Sequence, residues 1–268
     1  MSFRIIDCEQ GSDAWHKARA GVITASMFGV ARSRVGGLDE KQQKYVDAIR
    51  SGTDELLARE LAGYKQAPTS ETVKTALAGE VVGAPSNKAL DYAFRCAFER
   101  ISGEPMDEGF ETWQMARGHE LEPDARMEHQ IQTGLIVQRA GFVVTEDGVF
   151  GASADGLIGT DGGSEYKCLV SPETLRAVLM SDDYSSFVDQ VQGCMWVTGR
   201  SWWHLCFYCP QLGAIDYPLH VVPMKRDDDY IEQMERDLLQ FNLLVGTYES
   251  RLRKLRAAAN TSPFALAA

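Results

Sequence analysis

Three residues in one short stretch have the types and the spacing for metal-assisted chemistry: Asp155, Glu165 and Lys167, in the pattern D-x9-E-x-K. Two short apolar runs flank the glycine-rich segment Thr160-Asp161-Gly162-Gly163-Ser164. This predicts a β-hairpin with Asp155 near the start of one strand and Glu165 and Lys167 on the other. Side chains alternate faces along a strand, so Glu165 and Lys167 share a face, Tyr166 takes the opposite one, and Asp155 meets the pair from across the hairpin. Two carboxylates against one ammonium leave negative charge that must be neutralised if the group is buried. A hard cation such as Mg2+ does this with one oxygen from each acid, and the main-chain carbonyl of Tyr166 is a further candidate ligand. Lys167 is then available to hold or deprotonate a water, and cation plus water is the equipment for hydrolysing a phosphodiester. On spacing alone, the same residues also fit a surface hairpin with a solvated Glu-Lys pair.

A second group lies near the N-terminus, in Ser12-Asp13-Ala14-Trp15-His16-Lys17-Ala18-Arg19-Ala20-Gly21 and the following Val22-Ile23-Thr24-Ala25-Ser26. Ser12 or Asp13 can cap a short helix that Gly21 ends, and Trp15 and Arg19, one turn apart, share a face. Thr24 is placed to cap the next helix. Free backbone N–H groups there, beside Arg19 and Ser26, would suit a phosphate; ordinary capping and a solvated arginine fit as well.

The elements that must position these groups are legible in outline. Helical periodicity runs from Lys88 to Arg100. The segment Phe110 to Gly118 leads into a helix carrying Glu122. Pro123 is tolerated only in a first turn, so this helix is expected to begin close to Glu122 or to kink there. Ser171-Pro172 is a helix start. A helix from about Tyr184 to Val197 puts Phe187, Gln190 and Cys194 on one face. The aromatic run Ser201 to Tyr208 reads as a buried strand, with a further strand near Ala214 to Val222. A long helix from Asp227 to about Arg256 follows, acidic at its start and ending in Arg251, Arg253, Lys254 and Arg256, which match the helix dipole and could also touch DNA or a neighbouring subunit. Residues 35 to about 88 form a separate acidic stretch of short helices punctuated by Gly52, Gly63 and Pro68, best read as a packing or protein-contact module.

Composition bounds the rest. With 268 residues and 44% hydrophobic content, the chain can bury a substantial core. No long apolar run or signal-like N-terminus is apparent, so a cytoplasmic protein with no membrane partner is expected. The six cysteines fit reduced thiols, and Cys206-Phe207-Tyr208-Cys209 has no second C-x-x-C to complete a zinc site. A formal charge of −11 excludes a generally basic nucleic-acid coat but not an enzyme with a local basic channel.

Four blocks, in order, carry a family resemblance: Asp13 to Ser26; Gly118-His119-Glu120-Leu121-Glu122-Pro123-Asp124-Ala125-Arg126; Ser153-Ala154-Asp155-Gly156-Leu157 with Glu165-Tyr166-Lys167-Cys168; and Gln190-Val191-Gln192-Gly193-Cys194-Met195-Trp196-Val197-Thr198. Together they resemble the lambda-exonuclease and YqaJ-type viral recombinase nucleases. The resemblance implies an α/β PD-(D/E)xK fold, a mixed central sheet flanked by helices. It implies one nuclease domain over 1–268 with a helical insertion at about 35–88. The implied activity is metal-dependent 5′-to-3′ digestion of one strand of linear double-stranded DNA, leaving 3′ tails for phage-type recombination. Carried over to this chain, Asp155 and Glu165 would be metal ligands, Lys167 the residue that activates water, and Glu122 a holder of the same or a second ion. The ions would be one or two Mg2+, with Mn2+ as a substitute. Arg19, Ser26, Ser153 and Gln190 would receive the 5′ phosphate, with Trp15 in the same DNA-binding set. The resemblance further implies a homotrimeric ring, a single-strand annealing partner, and a phage or prophage gene expressed in a bacterial host. The family's proline is replaced before the aspartate by Ala154 and after the cysteine by Leu169, and neither change removes a ligand. A structure-specific endonuclease of the same fold and a non-catalytic DNA-end-binding factor are the alternatives.

Overall fold

The computed structural model describes residues 3–106, 113–168 and 171–260. In chain order the elements are β1 (Phe3–Ile6), α1 (Asp13–Arg19), β2 (Ile23–Thr24), a 3-10 turn (Ala25–Met27), α2 (Phe28–Arg32) and β3 (Arg34–Val35). Then come α3 (Glu40–Arg50), α4 (Glu55–Leu61), α5 (Glu71–Leu77), β4 (Ala84–Pro85), α6 (Asn87–Ser102) and α7 (Trp113–Thr133). The strands β5 (Val137–Gln138), β6 (Phe142–Thr145), β7 (Phe150–Ser153), β8 (Gly156–Ile158) and β9 (Gly162–Cys168) follow. The chain continues with α8 (Pro172–Ser181), α9 (Ser185–Thr198), β10 (Trp202–Tyr208), a 3-10 segment (Pro210–Ile215), β11 (Leu219–Lys225) and α10 (Asp228–Asn260).

The chain forms two compact units, one of residues up to 31 and from 92 onward, the other of residues 32–91. The larger unit holds two mixed sheets, ordered β1-β6-β7-β2 and β11-β10-β9-β8-β5. Its strands are mostly antiparallel, but β2 runs parallel to β7 and β9 parallel to β10. The expected central sheet is therefore split: β7 ends at Ser153 in one sheet and β8 begins at Gly156 in the other. Asp155 lies at this crossing point, and the pairing of Gly156 with Ser164 brings it opposite Glu165. The predicted hairpin is thus present.

Aromatic and aliphatic packing fixes this frame. Phe28, Phe150 and Trp196 pack edge to face or tilted, with ring centroids 5.1 to 6.3 Å apart. From Val191 to Thr198, α9 is buried on every side, which makes it the central helix of the unit. Ile231, Met234, Leu238, Phe241 and Val245 form the buried stripe of α10, at alternating three- and four-residue spacing. Trp202 and Trp203 of β10 lie directly opposite Gly162 and Gly163 of β9. The smaller unit has its own core of Tyr45, Val46, Ala58, Ala62, Val73 and Ala76 beneath α3, α4 and α5. Asp39, Asp54 and Ser70 cap those helices. Among the described residues, no helix is long and apolar enough to cross a membrane.

Three sequence expectations are corrected. The helix bearing Glu122 does not begin near it; α7 runs from Trp113, and Pro123 sits in its interior. Proline cannot donate to the carbonyl of His119, but burial of Leu121, Ala125 and His129 holds the helix through that point. The strand expected from Ala214 begins only at Leu219, because Pro210 starts a 3-10 segment whose end is the left-handed Asp216, φ 57°. Thr24 occupies the N-cap position of the 3-10 turn, but its side chain makes no capping bond.

Candidate active site

Asp155 and Glu165 are both buried, 7% and 4% exposed. One oxygen of Asp155, Oδ2, accepts the Tyr166 backbone N–H at 2.7 Å, a bond that locks the carboxylate across the hairpin. Lys167 Nζ donates to Glu165 Oε1 at 2.9 Å and to Gln190 Oε1 at 2.8 Å, while Gln190 Nε2 donates to the same Glu165 oxygen at 2.5 Å. The Lys167 ammonium also lies 5.7 Å from the Phe187 ring. Glu165 and Lys167 thus share the face that looks onto α9. Tyr166 takes the other face, against Ala125 of α7 and against Cys206 and Leu219.

Glu122 reaches this neighbourhood from α7. Its Oε1 accepts from Arg126 Nη2 at 2.5 Å, and the same nitrogen donates to the main-chain carbonyl of Asp155 at 2.8 Å. Arg126 therefore ties the helix to the start of β8. Nothing in the sequence assigned that role, although the i, i+4 spacing to Glu122 was visible. His129, one turn further along α7 and fully buried, hydrogen-bonds Tyr166 OH through Nδ1 at 2.9 Å and His204 Nδ1 through Nε2 at 2.8 Å. This brace behind β9 was also missed, because its members lie 37 and 75 residues from His129 in the chain.

Burial and mutual charge set the electrostatics of the group. Burial, then the charge of Asp155, pushes Glu165 up to about 7. Burial, then Glu122, pushes Asp155 up to about 6. Burial also raises Glu122, with Glu165 adding to the rise against the pull of Arg126. For Lys167, burial pulls downward, but Glu165 and Asp155 more than offset it and keep the ammonium charged. As the site stands, Lys167 is a donor that can orient a water, rather than a ready base. Glu165 Oε2 is buried and has no hydrogen-bond partner among the described residues. An orphaned carboxylate oxygen among three crowded acids fits a divalent metal ion, which would be held by Asp155 and Glu165. No three His, Cys, Asp or Glu side chains among the described residues are close enough to hold an ion by themselves.

The second predicted group is assembled separately, at the start of the fold. Ser12 caps α1 by accepting the Trp15 N–H, and Gly21, φ 74°, makes the turn after it. Trp15 Nε1 and Arg19 NH1 both donate to Ser153 Oγ, each at 2.9 Å, and the Arg19 guanidinium lies over the Trp15 ring at 4.1 Å. Ser153 ends β7, two residues before Asp155, so this cluster adjoins the carboxylates through the chain itself. Ser26 Oγ lies 3.4 Å from Thr24 Oγ1. Gln190, expected among the phosphate ligands, is hydrogen-bonded to Lys167 and Glu165.

Residues 14–201 match the YqaJ-like viral recombinase domain. The chain belongs to that family. Among solved structures, it is similar to the alkaline exonuclease LHK-Exo from Laribacter hongkongensis, with 22% identity over 92% of this chain and 100% of that one and a TM-score of 0.64. A second structure of LHK-Exo, in complex with dAMP, matches at 24% identity, 94% and 100% coverage and the same TM-score. No curated protein is a significant match. The fold, helices around mixed sheets, is of the PD-(D/E)xK nuclease type.

Proposed function

We propose that the chain is a divalent-cation-dependent exonuclease that removes nucleotides from the 5′ end of one strand of linear duplex DNA and leaves a 3′ single-stranded tail. The observation that carries this reading is the Asp155-Glu165-Lys167 group, its two acids buried and its lysine half-buried, with one carboxylate oxygen of Glu165 lacking a hydrogen-bond partner among the described residues. Asp155 and Glu165 would hold Mg2+ or Mn2+, with Glu122 as a further oxygen donor once its bond to Arg126 is exchanged. Held there, such an ion would lower the pKa of water and offset charge gathering on the phosphate. Lys167, kept protonated by its neighbours, orients the attacking water and supplies positive charge beside the phosphate. Gln190 fixes the Lys167 ammonium relative to Glu165. Arg19, held flat against Trp15 and hydrogen-bonded to Ser153, presents a guanidinium for the 5′-terminal phosphate.

The product of such a reaction is the substrate of a strand-annealing protein, the class of partner this reading assigns. The family resemblance supports a homotrimeric ring around the DNA, and the mass in solution tests it. For the activity itself, Asp155→Asn should abolish Mg2+-dependent digestion of linear duplex while the thermal melt stays cooperative. Undiminished digestion by the variant would remove the site assignment. Cleavage of covalently closed circles by the wild-type protein would replace the exonuclease reading with an endonuclease one.

A further inference from the structure

Glu99 of α6 is a buried carboxylate, 4% exposed, that the proposed chemistry does not use. It faces the turn that leaves α1. Its Oε2 accepts the Gly21 N–H at 2.7 Å, and its Oε1 accepts from Arg95 Nε at 2.9 Å and from the Met106 N–H at 3.0 Å. Two neighbours on the same helix hold the rest of the turn. Arg100 Nε donates to the Gly21 carbonyl at 2.8 Å. Tyr92 OH accepts the Thr24 N–H at 3.0 Å and donates to the Val22 carbonyl at 3.4 Å. A Cβ on Gly21 would sit 2.5 Å from Arg100 Cγ, so the turn and the helix are in close contact. A short turn thus has its amides and carbonyls bound by side chains of α6, leaving little freedom in where α1 ends. Arg19 is the last residue of α1, two positions before Gly21.

We propose that Glu99 and Tyr92 are positioning residues that set the enzyme's preference for a 5′-phosphorylated end, by fixing the turn from which Arg19 projects. This rests on the reading of Arg19 as the phosphate-binding residue. A carboxylate accepting a main-chain N–H in a buried setting is a strong, directional tether, and its amide analogue cannot serve all three donors equally. Small displacements of a clamp of this kind cost binding of the terminal group before they cost chemistry elsewhere.

The test compares kcat/KM on linear duplexes bearing a 5′ phosphate or a 5′ hydroxyl, for wild type, Arg19→Ala, Glu99→Gln and Tyr92→Phe, each checked by thermal melting. The expected result is that Glu99→Gln and Tyr92→Phe lower the phosphate-to-hydroxyl preference by at least about threefold and leave the rate on 5′-hydroxyl ends within about twofold of wild type. Tyr92→Phe removes a single oxygen, so it remains informative if Glu99→Gln does not fold. Equal slowing on both ends would mean that α6 is merely structural, and an unchanged preference would also overturn the proposal. If Arg19→Ala loses the preference and the α6 variants keep it, the α6 inference alone fails. If wild type shows no preference, the phosphate reading of Arg19 fails and the inference falls with it.

Discussion

The two oxygens of Glu165 have different surroundings: Oε1 accepts from Lys167 and Gln190, and Oε2, equally buried, accepts from nothing among the described residues. A carboxyl raised to about 7 beside another raised to about 6 binds protons in the folded state that it would release when unfolded. Without divalent ions, stability contributed by these groups is therefore present at low pH and is lost as pH rises from the ordinary carboxylate range through about 7. In EDTA, the melting temperature should fall by several degrees between pH 5 and pH 8. Glu165→Gln should flatten that slope, and saturating Mg2+ should restore the wild type at pH 8. A slope identical in Glu165→Gln would show that the carboxylate is not strained by burial. The D-x9-E-x-K spacing made these residues legible in the sequence, since strand alternation fixes which side chains share a face. Gln190 was found for a different reason from the one the geometry gives. Helical spacing placed it on the right face of α9, but only the fold shows that this face looks onto Lys167.

Among the elements, β9 is supported from both sides by groups far away in sequence. Behind it stand His129 and His204, and beside it runs β10, whose Trp202 and Trp203 cover Gly162 and Gly163. A Cβ on Gly163 would collide with the indole of Trp203, which is fully buried and cannot swing aside. Gly163→Ala should therefore destabilise the protein by ~1–3 kcal/mol and weaken cation binding through its displacement of the hairpin, read by chemical denaturation and by Mn2+ titration. A neutral effect on both would mean that the sheet yields easily there. The glycines were legible as a turn signal, yet Gly162 and Gly163 lie inside β9, where their role is to make room for tryptophans about 40 residues later. Parallel pairing between β9 and β10 is a long-range fact that no local pattern announces. The same holds for α7: the proline argued for a helix start or a kink, and the helix runs on through Pro123 with Leu121, Ala125 and His129 buried around it.

Taken as a molecule, the chain carries a formal charge of −11, adverse to DNA at long range, so the proposed DNA binding would have to rest on local basic groups and on cations shared with the phosphates. Arg19 in one cluster and Lys167 and Arg126 in the other are local cationic groups, and the exposed Arg251, Arg253 and Lys254 near the end of α10 form a further basic surface. The family and the fold were legible because four ordered blocks span most of the larger unit, whereas the division of the sheet and the tethering of α1 by α6 depend on contacts between distant segments. Under the proposed function, buried carboxylates at the β8–β9 hairpin direct cation-dependent removal of nucleotides from a 5′ end. It is tested most directly by incubating linear duplex DNA, labelled at either the 5′ or the 3′ end, with wild-type protein in Mg2+ or in EDTA and resolving the products on a denaturing gel. The prediction is rapid release of the 5′ label as mononucleotide in Mg2+, persistence of the 3′ label on shortening strands, and no reaction in EDTA. Release of the 3′ label first, or equal digestion in EDTA, would contradict it.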